Sequence, residues 1–193
     1  FLPRRWNTRT DAYGGSLENR ARFLRECIAE IRKQTGADYP VWVKLNCSDF
    51  MKEGGLEAEE SLQVMKWLAE DGVQAIEVSG GNTSSLPRKG PIRAIRRTKE
   101  PMYFAAYAKA AAAALKGKTD VGVVGGWRAA SDMEEALATS DLSFISLCRP
   151  LSKQMKVPNL WRNGSTEPAT CISCNRCFRD TDVDCIFHEQ AEA

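Results

Sequence analysis

Lys44 sits in the run Val41-Trp42-Val43-Lys44-Leu45-Asn46, which reads as a β-strand. Strand alternation puts Val41, Val43 and Leu45 on one face and Trp42, Lys44 and Asn46 on the other. An ammonium group held on the inside of a folded domain is costly unless something pairs with it. Its partner is a core carboxylate such as Glu77, solvent, or a bound anionic group. Gly125 and Gly126 follow a second strand-like run, Val121 to Val124. Paired glycines at a strand end either make a turn or let the backbone approach a phosphate and present N–H groups to it. Arg149 follows the next strand-like run, Leu142 to Leu147, and a guanidinium beside backbone donors suits a dianionic phosphate.

The second concentration of reactive side chains is Cys171-Ile172-Ser173-Cys174-Asn175-Arg176-Cys177, followed by Cys185. Thiolates at this spacing suit zinc or an iron–sulfur cluster. These cysteines are expected to be buried or free thiols, with Cys171, Cys174, Cys177 and Cys185 the candidate ligands should a metal bind. The remaining cysteines, Cys27, Cys47 and Cys148, are scattered. An odd total of 7 without a secretory signal points to reduced thiols and a cytoplasmic setting. His188 is the only histidine and reads as a surface residue of the tail, so no Ser-His-Asp or Cys-His arrangement is built around it. Asp49, Glu53 and Glu57 read as loop and helix-start carboxylates.

The elements that must position these residues alternate. Ser16 caps a helix that carries Leu17, Leu24, Ile28 and Ile31 and stops at Gly36. After the strand at 41–46, a helix runs from Leu56 to Asp71 and stops at Gly72; Gln74 to Val78 is a strand. Pro101 fits the first turn of an alanine-rich helix that extends through Leu115. Ser131 and Glu134 form a capping box before a short helix ending near Thr139, and Arg149-Pro150 breaks the last strand. Alternating helices and strands imply an α/β fold with a parallel sheet. Four βα units are half of an eight-stranded barrel, with a flavodoxin-like open sheet as the structural alternative. In a barrel, the loops after the seventh and eighth strands form the usual phosphate site. Residues 1–160 are expected to form the barrel part and 161–193 a cysteine-rich tail.

The chain has 193 residues and a formal net charge of +2. That length can bury a sizeable core but falls short of the about 250 residues of a complete barrel. The charge gives no reason to invoke nucleic acid or a membrane surface. No apolar run of about 20 residues is present, which excludes a single hydrophobic helical span. Phe1 stands first, and an N-terminal half is expected to be missing from this chain.

The segment Asn7 to Phe23, reading Asn-Thr-Arg-Thr-Asp-Ala-Tyr-Gly-Gly-Ser-Leu-Glu-Asn-Arg-Ala-Arg-Phe, resembles a signature of the old yellow enzyme class, the NADH:flavin oxidoreductases. These residues are expected to serve as turn, cap and ion pairs rather than to carry chemistry. Val41–Phe50, Val121–Arg128 and Leu142–Leu151 resemble, in order, the family's fifth strand, seventh strand with phosphate loop, and eighth strand. Cys148 stands where the eighth strand's Gly-Arg-Pro ending has glycine. The resemblance implies the second half of an FMN-binding (β/α)8 TIM barrel, strands five to eight. It implies Lys44 beside the pyrimidine edge of FMN, and Gly125, Gly126, Cys148 and Arg149 around the phosphate. NAD(P)H is the implied co-substrate and a small molecule the acceptor. The family's substrate-binding His-His or His-Asn pair precedes the matching segment, so no catalytic residue is assigned here. Some larger relatives hold a 4Fe–4S cluster on a similar cysteine run, but the third and fourth cysteines here depart from their spacing. The functions in competition are half of a flavoprotein oxidoreductase, a metal-binding or electron-transfer module, and a non-catalytic half-barrel that dimerises. In either barrel reading, the missing N-terminal half or a second copy of the chain is the expected partner.

Overall fold

Short runs of β-branched residues, each followed by a helix with one apolar stripe, set the architecture. A computed structural model describes residues 1–93, 101–178 and 185–187. In chain order the elements are α1 (Leu17–Thr35), β1 (Trp42–Asn46), α2 (Ala58–Glu70), β2 (Ala75–Ser79), α3 (Ala105–Leu115), β3 (Asp120–Val124), α4 (Ala130–Ala138), β4 (Phe144–Ser146), α5 (Arg149–Lys153) and α6 (Val157–Arg162). A short 3-10 turn follows at Arg176–Phe178. The sheet has the order β1-β2-β3-β4 and every pairing is parallel. This is a partial (β/α) barrel.

One face of the sheet is closed by helices. Leu45, Ile76, Val78, Val121 and Val123 are buried there with Val64, Met65 and Leu68 of α2 and Ala108, Ala111, Ala112 and Leu115 of α3. The small side chains of α3 let that helix lie close to β3. The other, concave face carries Trp42, Lys44, Glu77, Gly122, Phe144 and Ser146. Lys44 registers with Glu77, Glu77 with Gly122, and Gly122 with Phe144.

Gly122 is required by that row. A Cβ added to it would lie 2.1 Å from the Phe144 ring. The ring instead covers the glycine and meets the Trp42 ring edge-on, with centroids 4.6 Å apart. Gly122→Ala is expected to cost about 1–3 kcal/mol, because Phe144 must leave its rotamer. The same substitution in a Phe144→Ala background should cost nothing. Urea unfolding of the single and double variants checks this, and equal costs in both backgrounds would contradict the packing account.

The structure revises four sequence expectations. Pro101 precedes α3 rather than starting it, because Met102 adopts φ 51° and a left-handed residue cannot continue into a helix. The Ser131–Glu134 capping box does not form: Ser131 lies inside α4, whose N-cap is Ala129 without a side-chain cap. A box forms instead at Glu57 and Glu60 ahead of α2. Arg149-Pro150 does end the strand region, but it does so by opening α5, where proline's fixed φ suits the first turn. The fourth strand is also shorter than 142–147, being paired only over Phe144–Ser146.

The opening segment works as turn and cap. Asn7 donates to the carbonyls of Phe1 and Tyr13, each at 2.7 Å. Ser16 Oγ accepts from the Asn19 amide at 3.2 Å, and Arg22 donates to the Ala12 carbonyl at 2.7 Å. Gly14 has no alternative, since a Cβ there would lie 1.9 Å from the Arg9 carbonyl oxygen.

Candidate active site

The carboxyl ends of parallel strands are where loops converge and ligands bind in α/β folds. Here the loops after β3 and β4 meet residues 91–92 and 103–104 around a cavity of about 250 Å³. Lys44, Gly125, Gly126, Cys148 and Arg149 all line it, so the five residues singled out from the sequence are brought to one place.

Gly125 and Gly126 adopt φ values of 111° and 89°, which only glycine takes without strain. They also pass tightly under the preceding loop: a Cβ on Gly125 would meet the Tyr103 ring at 2.6 Å, and one on Gly126 the Met102 nitrogen at 2.4 Å. Close packing alone therefore demands glycine at both positions. Among the described residues, neither glycine N–H finds an acceptor, which leaves both available to an anion.

Arg149 is buried at the start of α5. Its Nη1 donates to the Arg93 carbonyl at 2.9 Å and to Asn175 Oδ1 at 2.5 Å, and its Nη2 to the Tyr103 hydroxyl at 3.2 Å. Among the described residues, Nε and the other Nη2 hydrogen have no acceptor. Cys148 is exposed, so its thiol has room at this position. Arg128, which also lines the cavity, donates to the Cys171 carbonyl at 2.9 Å and the Trp127 carbonyl at 2.5 Å. Burial pulls the Arg128 guanidinium below its usual range, an effect that nearby Cys171 opposes. Two guanidinium groups and two unengaged backbone amides around one cavity are a donor set for a phosphate dianion.

Lys44 Nζ is hydrogen-bonded to Glu77 Oε1, and Ser146 Oγ donates to Glu77 Oε2 at 2.9 Å. The core-carboxylate partner anticipated for Lys44 is therefore present, yet the lysine side chain remains 59% exposed on the concave face. Cys47 adds no nucleophile, since burial pushes its thiol up to about 12.

The tail brings Cys171, Cys174, Cys177 and Cys185 around a second, very small cavity of about 10 Å³ whose wall is again Arg149. Among the described residues none of the four is in a disulfide, and burial raises the pKa of Cys177 against the opposing charge of Arg149. Among the described residues, no group of three or more His, Cys, Asp or Glu is placed to hold a metal ion. His188 lies outside the described residues. Arg128, Tyr103 and Asn175 were not singled out as site residues from the sequence. Arg128 follows the glycine pair closely enough to have been suspected, whereas Tyr103 and Asn175 arrive only through tertiary contacts.

A parallel βα sheet with an anion-suited cavity at its carboxyl end defines a partial barrel of the cofactor-binding kind. The model of the NADH:flavin oxidoreductase / NADH oxidase family matches residues 1–162, and the chain belongs to that family. It is 33% identical over 201 residues to an NADH oxidase of Thermoanaerobacter brockii, covering 99% of this chain and 29% of that protein. It is 33% identical over 175 residues to an NADPH dehydrogenase of Halalkalibacterium halodurans, covering 90% of this chain and 46% of that one. Among solved structures, 2-naphthoyl-CoA reductase superposes with a TM-score of 0.81 at 31% identity, over 97% of this chain and 28% of its own. The chain thus spans less than half the length of these relatives. Among the described residues, no helix is long and apolar enough to cross a membrane.

Proposed function

We propose that this chain is the C-terminal half, strands five to eight, of an FMN-dependent NAD(P)H:acceptor oxidoreductase, and that residues beyond about 160 are an appended tail. The observation that carries this reading is the convergence of Lys44, Gly125, Gly126, Cys148 and Arg149 on one cavity at the strands' carboxyl ends. The residues present fit the phosphate end of FMN, which when bound supplies hydride transfer between a pyridine nucleotide and a small-molecule acceptor. Gly125 and Gly126 offer backbone N–H groups to the phosphate. Arg149 offers Nε and Nη2, and Cys148 leaves space for the phosphate oxygens. Lys44, steered by Glu77, holds a positive charge on the concave face where the pyrimidine edge of the flavin would lie. The acceptor-orienting groups belong to the other half of the barrel.

Arg149→Ala is the test. The substitution should weaken FMN binding by about 10- to 100-fold, the worth of charge-assisted hydrogen bonds, and leave riboflavin binding unchanged. Isothermal calorimetry with both flavins decides, and equal FMN affinity in the variant counts against the site.

A metal-binding or electron-transfer module is the second reading, favoured by the four cysteines around one cavity. Their narrow cavity and departure from the cluster-binding spacing instead favour thiols. Metal analysis of anaerobically purified protein is expected to find far fewer than the four irons of a 4Fe–4S cluster; about four per chain would establish the module.

A further inference from the structure

The phosphate cavity has a wall supplied from outside the family-matched segment, which ends at residue 162. We propose that Asn175, on the cysteine-bearing tail, is a positioning residue for Arg149, and that through it the tail sets the preference of this site for a phosphorylated flavin. The inference rests on the reading of Gly125, Gly126 and Arg149 as a phosphate site.

The contacts form a closed clamp. Asn175 Oδ1 accepts from Arg149 Nη1 at 2.5 Å, while Asn175 Nδ2 donates to the Ile92 carbonyl at 3.2 Å. The neighbouring Arg93 carbonyl accepts from the same Arg149 Nη1 at 2.9 Å. Both hydrogens of Nη1 are thereby committed to a corner made of residues 92–93 and the tail, and this turns the Nε–Nη2 edge of the guanidinium away from that corner. The Arg93 side chain stiffens it, lying 4.9 Å from the Phe50 ring centroid and 4.8 Å from that of Tyr103. The tail is also tied to the cavity's other arginine, since Ser173 Oγ accepts from Arg128 Nη2 and the Cys171 carbonyl from Arg128 Nε.

The chemistry of the side chain matters as much as its place. A carboxamide orients the guanidinium without cancelling its charge, so Arg149 stays available to an anion. A carboxylate at the same position would make an ion pair and compete with the phosphate. The backbone also suits asparagine, because Asn175 has φ 64°, in the left-handed region that asparagine tolerates better than most residues.

The test uses the whole 193-residue chain, labelled with nitrogen-15 and titrated with FMN and, as the phosphate-free control, riboflavin. The Gly125 and Gly126 amides report on the site. The wild type should favour FMN. Asn175→Ala should weaken FMN binding about tenfold with riboflavin unchanged, and should add nothing in an Arg149→Ala background. Asn175→Asp, nearly isosteric and so able to keep the loop, should weaken FMN further than Asn175→Ala does. FMN affinity in Asn175→Asp equal to or above wild type, with Arg149→Ala still abolishing the preference, overturns the role of Asn175 and leaves the phosphate site standing. No preference for FMN in the wild type, or none lost in Arg149→Ala, removes the phosphate site and the role of Asn175 together.

Discussion

The chain alone is expected to give no NADPH-dependent reduction of cyclohexenone above the rate of free FMN. The argument starts from the sheet. β1 pairs only with β2 and β4 only with β3 among the described residues, so each leaves an edge of unpaired backbone groups. An eight-stranded barrel closes those edges, and four strands cannot. The concave face shows the same incompleteness in its side chains. Trp42 is 59% exposed beside Phe144, and the Lys44–Glu77 pair is open on the side where a closed barrel would bury it. On the function proposed above, a flavin here would have its phosphate end held, but the side of its ring that a closed barrel covers would face open solvent. The groups that the family resemblance assigns to the acceptor are expected in the other half of a barrel. Supplying the other half of a barrel, fused or as a separate chain, should tighten flavin binding beyond the phosphate grip and restore turnover, because the ring contacts and the acceptor site both need the closed barrel. Turnover by the isolated chain would refute this account. Tightened flavin binding without turnover would show that the acceptor site is not where the resemblance puts it.

Much of this was legible beforehand, for reasons that lie in local physics. The strands and α1–α3 follow from side-chain period and from Ser16, Gly36 and Gly72, whose effects act within a few residues. The inward placement of Lys44 follows from alternation alone, and so does its closeness to Glu77 once the strands pair in register. What sequence could not give were the contacts set by distant partners. Met102 is left-handed where its backbone lies against Gly126, and a left-handed residue ahead of α3 moves the helix start beyond Pro101. Ser131 looked like a cap because its neighbours have capping types, but α4 begins one residue ahead of it. Asn175 looked like part of a cysteine motif. Its bond to Arg149 spans 26 positions and depends on how the tail folds back, which no local pattern encodes.

The second large effect is expected at Arg20, in the segment that identifies the family, and it concerns stability alone. Arg20 carries a charge in a side chain only 2% exposed. Its Nη2 lies 2.7 Å from Glu60 Oε1, its Nε donates to the Gly15 carbonyl at 3.1 Å, and its Nη1 donates to the Leu2 carbonyl. Glu60 in turn accepts from Arg4 at 3.1 Å and closes the capping box of α2. Arg20 therefore pins the opening segment, the glycine turn and α1 to the start of α2. Losing the buried arginine leaves Glu60, 18% exposed, with only the more exposed Arg4 as a cation partner and leaves the Gly15 and Leu2 carbonyls without their guanidinium donor, at about 3 kcal/mol, the low end for a broken buried pair. Arg20→Met keeps the aliphatic stem, so its cost should come from the weakened pairing of Glu60 and the carbonyls left without a donor rather than from a void. Adding Glu60→Gln removes the half-compensated charge and should make the double variant cost less than the sum of the two singles, whereas a purely steric role for Arg20 would make the two costs add. Urea midpoints of the two single variants and the double variant settle this. A loss below about 1 kcal/mol in Arg20→Met, within the range of a surface ion pair, would show that the arginine is not the pin the geometry makes it.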